Sequence, residues 1–186
     1  MDPGIKRWRR DQRAELLARR DALTPEDRKH AAEVIGTKLD ELVTARGCTA
    51  IGLFWPIKLE IDLLSWAHAL ERRSGVTLCL PVVVARSEPL EYRRWSQGEP
   101  LARGIWDIPV PQARDTIVPD LMLAPVVGFD RAKYRLGYGG GYFDRTLASL
   151  PRRPLTVGIG YEFSALDTIF PQPHDIPMDE VLTERQ

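Results

Sequence analysis

No lysine follows Lys133 in this chain, so its one glycine-rich run, near residue 140, lacks the Gly-Lys-Ser/Thr ending of a P-loop. A dinucleotide fingerprint G-x-G-x-x-G beginning at Gly137 would need glycine at 142, where Tyr142 stands. Cysteine is scarce. Cys48 and Cys79 sit in apolar stretches without metal-ligand spacing and read as reduced core thiols, with a single disulfide between them as the open alternative. Net charge is absent: 26 Lys+Arg balance 26 Asp+Glu, so no global field favours nucleic acid or an anionic membrane. No segment approaches the length of a membrane span, and the first residues hold no apolar core of a signal peptide. A cytoplasmic protein with neither a membrane nor a nucleic-acid partner is expected. Repeats, low-complexity tracts and linkers are missing too, so residues 1–186 read as one domain with room for a sizeable core.

What is present centres on Gly137-Tyr138-Gly139-Gly140-Gly141, four glycines in five residues. Glycine tolerates φ > 0 and lets backbone N–H groups turn toward a ligand with no Cβ in the way. Residues 142–150 read as a helix, so the run opens onto a helix N-terminus with unpaired donors and partial positive charge. Arg135 and Arg145 bracket it with guanidinium groups suited to phosphate, and Asp144 adds a hard oxygen for a magnesium ion accompanying a nucleotide. The run also reads as a plain flexible turn. The flanking charges favour a nucleotide-phosphate loop.

Around the run the pattern is α/β. Residues 5–20 read as a helix carrying seven cations against three anions within 1–20, the one strong local charge asymmetry. Thr24 as N-cap, Pro25 in the first turn and the acids Glu26 and Asp27 start a second helix that runs to about Arg46. Short apolar runs then alternate with helices. Strands are expected at 49–55, 76–84, 90–95 (exposed), 121–127, 156–161 and 181–183, with a helix at 63–73 and a long irregular crossing marked by prolines 100, 109, 111 and 119. Apolar strands alternating with helices imply a Rossmann-like, three-layer α/β/α sandwich on a mostly parallel central sheet. Ligands of such sheets sit beyond the carboxyl ends of strands, where Trp55, Glu60, Val127 to Phe129, the glycine run and Tyr161 to Phe163 all fall.

Taken alone, several of these residues have plainer readings. Lys6-Arg7-Trp8-Arg9-Arg10 is a solvated helix face or, less readily, a nucleic-acid contact. Lys6 and Arg10 are spaced i, i+4 and project from one face, so both can meet a single anion. Glu60 stands in a loop where a lone acid is solvated, and Trp55 and Trp106 serve as packing. Asp175, near a proline, reads as a turn residue, and His174 has no nucleophile partner motif.

Gly128-Phe129-Asp130 and Arg135-Leu136-Gly137-Tyr138-Gly139-Gly140-Gly141-Tyr142-Phe143-Asp144-Arg145 together resemble the signature of the 5-formyltetrahydrofolate cyclo-ligase family. In the same order stand Lys6 to Arg10, Phe54-Trp55-Pro56 with Glu60-Ile61-Asp62, Trp106 to Pro111, and Pro173-His174-Asp175-Ile176-Pro177-Met178-Asp179. The resemblance implies ATP and 5-formyltetrahydrofolate as substrates, Mg²⁺ as cofactor, and a folate one-carbon ligase. It implies an ATP site from Lys6, Arg7, Trp8, Arg9 and Arg10 with Arg135, Leu136, Gly137, Tyr138, Gly139, Gly140, Gly141, Tyr142 and Phe143. The folate site would use Trp55, Glu60 and Trp106 with Tyr138, Gly139, Gly140, Gly141 and Tyr142. Metal would be held by Asp144 and Asp175, and catalysis carried by Lys6, Arg10, Arg135 and Arg145, of which Arg10 and Arg135 are expected to be exposed. A non-catalytic folate- or nucleotide-binding relative is the alternative.

Overall fold

Residues 2–185 are described here from a computed structural model of the chain. Helix α1 (Pro3–Asp21) starts at Asp2, whose carboxylate accepts from Gly4 N and Ile5 N. Helix α2 (Pro25–Arg46) begins with the expected cap at Thr24, completed by reciprocal bonds with Asp27, and stops at left-handed Gly47. There follow β1 (Ala50–Gly52), α3 (Leu64–Ser74), β2 (Thr77–Val83) and β3 (Leu90–Arg94). The remainder is a hairpin of β4 (Leu101–Arg103) and β5 (Pro109–Pro111), then β6 (Leu121–Pro125), β7 (Gly128–Asp130), β8 (Arg135–Leu136), α4 (Tyr142–Ser149), β9 (Leu155–Ile159), β10 (Ala165–Leu166) and β11 (Glu180–Leu182).

Six strands form the central sheet in the order β11-β9-β6-β1-β2-β3, parallel throughout except for the antiparallel edge pair β2–β3. Alternation along the strands sorts side chains between two helical layers. Leu78, Leu80, Leu121, Leu123, Val157 and Ile159 share a core with Ile35 and Leu39 of α2 and Ala67 and Leu70 of α3. The intervening Cys79 and Met122 meet Leu147 of α4. That is the expected sandwich with a mostly parallel sheet. Both cysteines are free thiols, and burial pushes that of Cys79 up to about 12.

Three expectations change in detail. Strand β1 leaves its ladder after Gly52, with Leu53 N still donating to Cys79 O at 2.8 Å, so residues 53–60 are released toward the sheet's carboxyl edge. The proline-marked crossing contains the β4–β5 hairpin, where a two-stranded edge tolerates the donors missing at Pro109 and Pro111. Strand β3 is an edge strand, yet Tyr92 within it and Trp95 just past it are buried. A second sheet, β10-β7-β8, was not anticipated. Its strands are two or three residues long, too short to show a period.

Candidate active site at the sheet's switch point

From β1 the chain winds outward through β2 to β3, then returns to the other side of β1 and winds through β6, β9 and β11. The direction of winding reverses between β1 and β6, and a crevice opens beyond the carboxyl ends at such a reversal. The loop after β1 carries residues 53–60, and that after β6 leads through β7 and β8 into the glycine run. The Tyr138 hydroxyl of the glycine run donates to Glu60 Oε1 at 3.0 Å. Tyr161, two residues past β9, donates to Leu59 O at 3.1 Å. Three strand-end loops therefore meet at one place.

The glycine run is open on its outer side. A Cβ at Gly137 would meet nothing within 4 Å, and one at Gly139 only the Arg13 guanidinium at 3.7 Å. Positive φ occurs at Gly139 (93°) and Gly141 (65°), not at all four glycines. Gly141 precedes α4, whose first turn receives no side-chain cap, leaving its amides available to an anion. Arg145 folds back over the run: Nη2 donates to Gly140 O at 2.6 Å, and the guanidinium lies 4.8 Å from the Tyr142 ring centre. Trp106, at the turn of the β4–β5 hairpin, reaches the opposite side of Tyr142's surroundings with ring centroids 5.6 Å apart. It is 61% exposed and holds φ 57°, a strained conformation for a tryptophan.

Helix α1 lies against this edge, and its arginines divide the work unexpectedly. Lys6, Arg7 and Arg10 are exposed, with Arg10 turned to Asp11 at 2.9 Å. Arg9, expected to meet the nucleotide, is instead buried: it donates to Ile169 O and Phe170 O and pairs with Asp175 at 2.5 Å. Trp8 packs edge-on against Phe170. The groups that reach the glycine run are Arg13, whose Nε donates to Gly137 O at 2.6 Å, and Arg20, whose Nη1 donates to the Tyr138 hydroxyl at 3.3 Å. Neither was among the candidates. Continuing the Lys6–Arg10 face by three and then seven residues leads to both.

Glu60 corrects another expectation, since it is 7% exposed rather than a solvated loop acid. Its Oε2 accepts from Ile57 N at 3.0 Å, closing a tight turn in which Lys58 and Leu59 hold φ of 47° and 55°. Burial raises its carboxyl above the ordinary value, opposed by the Ile57 amide and the Tyr138 hydroxyl. Trp55, in the same loop, packs edge-on against Trp95 at 5.9 Å.

Arg135 is likewise not an exposed cation. Its side chain is 6% exposed, its Nη1 donates to Ile176 O at 2.9 Å, and its Nη2 lies 2.6 Å from Asp144 Oδ1. Ile176 N donates to the same Asp144 oxygen at 2.9 Å, so Asp144 and Asp175 are gathered around one peptide. Each carboxylate is already paired with an arginine. Among the described residues, Asp144 Oδ2 and Asp175 Oδ1 nonetheless accept no hydrogen bond, and no cluster of three metal-ligating side chains occurs. Two hard oxygens, with phosphate and water completing the shell, suit magnesium, which binds through one or two carboxylates. The donor set fits that ion.

Fold and crevice define a doubly wound α/β protein with a glycine-rich loop facing a buried acid and aromatic side chains. A model of the 5-formyltetrahydrofolate cyclo-ligase family matches residues 5–184, and the chain belongs to that family. It is similar to the 5-formyltetrahydrofolate cyclo-ligase of Mycoplasma pneumoniae, 28% identical over 92% of this chain and 96% of the relative. The Escherichia coli K12 cyclo-ligase is 27% identical over 90% and 96%. Among solved structures, the 5,10-methenyltetrahydrofolate synthetase of Mycoplasma pneumoniae superposes with a TM-score of 0.80 at 26% identity, over 95% of this chain and 99% of that one. The Aquifex aeolicus synthetase gives 0.82 at 28%, over 96% and 90%. No helix among the described residues is long and apolar enough to cross a membrane.

Proposed function

We propose that the protein, acting as a single domain in the cytoplasm, converts 5-formyltetrahydrofolate and ATP to 5,10-methenyltetrahydrofolate, ADP and phosphate. The observation that carries this reading is the 3.0 Å bond from Tyr138 to Glu60, which joins the phosphate loop to the acid expected to hold the folate ring. The reaction needs those two ligands in contact. The formyl oxygen attacks the γ-phosphorus of ATP and ADP leaves. N10 then adds to the activated formyl carbon, its proton is released, the carbon–oxygen bond breaks and phosphate departs.

Catalysis of such a transfer rests on alignment and on neutralising charge at the moving phosphoryl group. The amides of residues 139–142 and the cations Lys6, Arg10 and Arg13 serve the phosphates. Arg145 serves them once it exchanges Gly140 O for a phosphate oxygen. Arg135 acts from behind, holding Asp144 and the peptide after Asp175. Magnesium, held by Asp144 and Asp175, would offset phosphate charge. Glu60 accepts from the N–H groups of the pterin ring, while Trp55, Trp106 and Tyr142 supply apolar walls. The test is the absorbance of the methenyl product in a mixture of protein, Mg²⁺, ATP and 5-formyltetrahydrofolate. Product that requires every component is expected. Folded protein that binds both substrates and forms none would overturn the reading.

A further inference from the structure

The reaction just proposed leaves two buried cations unused, Arg9, which pairs with Asp175, and Arg20. Arg20 is 2% exposed and sits in the last turn of α1. Its Nη2 donates to Val126 O at 2.7 Å, anchoring it to the chain just past β6, and its guanidinium stands 5.8 Å from the Tyr161 ring centre. Its Nη1 donates to the Tyr138 hydroxyl. A guanidinium offers only donors, so the phenol oxygen must accept from it, and the single phenol proton is directed at Glu60 Oε1. Tyr138 thus touches both halves of the crevice. Its backbone neighbours are Gly137, whose carbonyl Arg13 holds, and left-handed Gly139. Its ring lies beneath Lys58 Nζ at 5.0 Å, one end of the strained turn that delivers Glu60.

We infer that Arg20 is a positioning residue which, through the Tyr138 hydroxyl, couples the nucleotide loop to Glu60, so that filling the loop tightens the folate site. An anion on the amides flanking Tyr138 settles the backbone on both sides of it. The phenol then holds Glu60 in one orientation, and the ordering needed for folate is already done when folate arrives. This coupling rests on the proposed substrates.

Titration calorimetry with 5-formyltetrahydrofolate, with and without Mg²⁺ and β,γ-methylene-ATP, tests it. In the unaltered protein the analogue should tighten folate binding about fivefold or more, the lower range for coupled sites. Tyr138→Phe keeps the ring and loses the hydroxyl, and should bring that factor to about one. Arg20→Gln should do the same, and Arg20→Lys, which keeps a buried donor, should recover part of the factor. A merely structural role for Arg20 would shift the melting temperature and leave the factor intact. Full coupling in Tyr138→Phe, or none in the unaltered protein, overturns the inference. Unaltered protein that binds the analogue but no 5-formyltetrahydrofolate overturns both the inference and the function beneath it.

Discussion

Two loops face each other across the switch point, and they reach unusual backbone conformations by opposite means. Residues 137–141 use glycine at φ 93° and 65° and leave open space where side chains at 137 and 139 would be. Residues 56–60 put Lys58 and Leu59 into left-handed geometry and secure them with hydrogen bonds, Glu60 N to Ile57 O at 2.9 Å and Ile57 N to Glu60 within the turn and Tyr161 to Leu59 from outside it. Left-handed non-glycine residues carry a strain of about 1–2 kcal/mol each. A chain tolerates that where the surroundings over-determine the conformation. The glycine loop leaves backbone uncovered, whereas the acid-bearing loop is held by hydrogen bonds of its own and of its neighbour Tyr161.

The largest expected effect comes from removing the base on which the open loop stands. Arg135→Ala leaves Asp144 and Ile176 O without their cation, and breaking such a buried pair costs about 3–5 kcal/mol. Urea unfolding should show that loss. A midpoint equal to that of the unaltered protein would mean the loop needs no such base.

Next is Gly139→Val. Its φ of 93° is closed to a β-branched residue. A weakening of about tenfold or more in ATP-analogue affinity, ~1.4 kcal/mol, is expected, with a smaller loss for folate measured separately. Gly140, by contrast, lacks positive φ, and a Cβ there would strike the Tyr142 ring at 2.8 Å. Valine at 140 therefore acts by displacing an aromatic wall. Equal losses of both ligands in the Gly139 variant would erase the distinction between the loops.

Glu60→Gln sharpens the other side. Because burial raises the native carboxyl's pKa, the native state holds its proton more tightly than the unfolded chain. Its contribution is full below the ordinary value of 4.5 and declines as pH rises through the raised one. The glutamine variant should gain stability relative to the unaltered protein as pH rises from 4.5, while folate turnover falls. A stability difference that ignores pH would place the acid in water after all. The smallest effect belongs to Leu59→Gly. Relief of strain and the entropy added to the unfolded chain nearly cancel, so the melting temperature should hold while the KM for folate rises. A marked drop in melting temperature would show that Leu59 is there for packing.

Only the glycine-loop side of this contrast is legible in the sequence, because it is local. The Thr24 cap, the glycine run and the helix after it need only neighbours within a few residues. What was missed is set by partners far along the chain. Nothing near Glu60 announces Tyr138, 78 positions away, and nothing near Arg135 announces Ile176. Arg9 and Arg10 are adjacent in a basic stretch, yet one is buried against residues 169–175 and the other lies in water. One helical step separates their directions by about 100°, and only the docked helix decides which one faces the protein.

Helix α1 has a consequence for how the molecule comes into being. The long-range bonds from Arg9, Arg13 and Arg20 all end at residue 126 or later, and Leu16 packs beside Gly128. A chain made from its N-terminus thus produces its first helix long before any surface exists to receive it. Residues 50–125 can lay down four strands of the central sheet while that helix waits in solvent. Helix α1 is made before its docking surface and can be seated only after residues 126 to 175 have followed it.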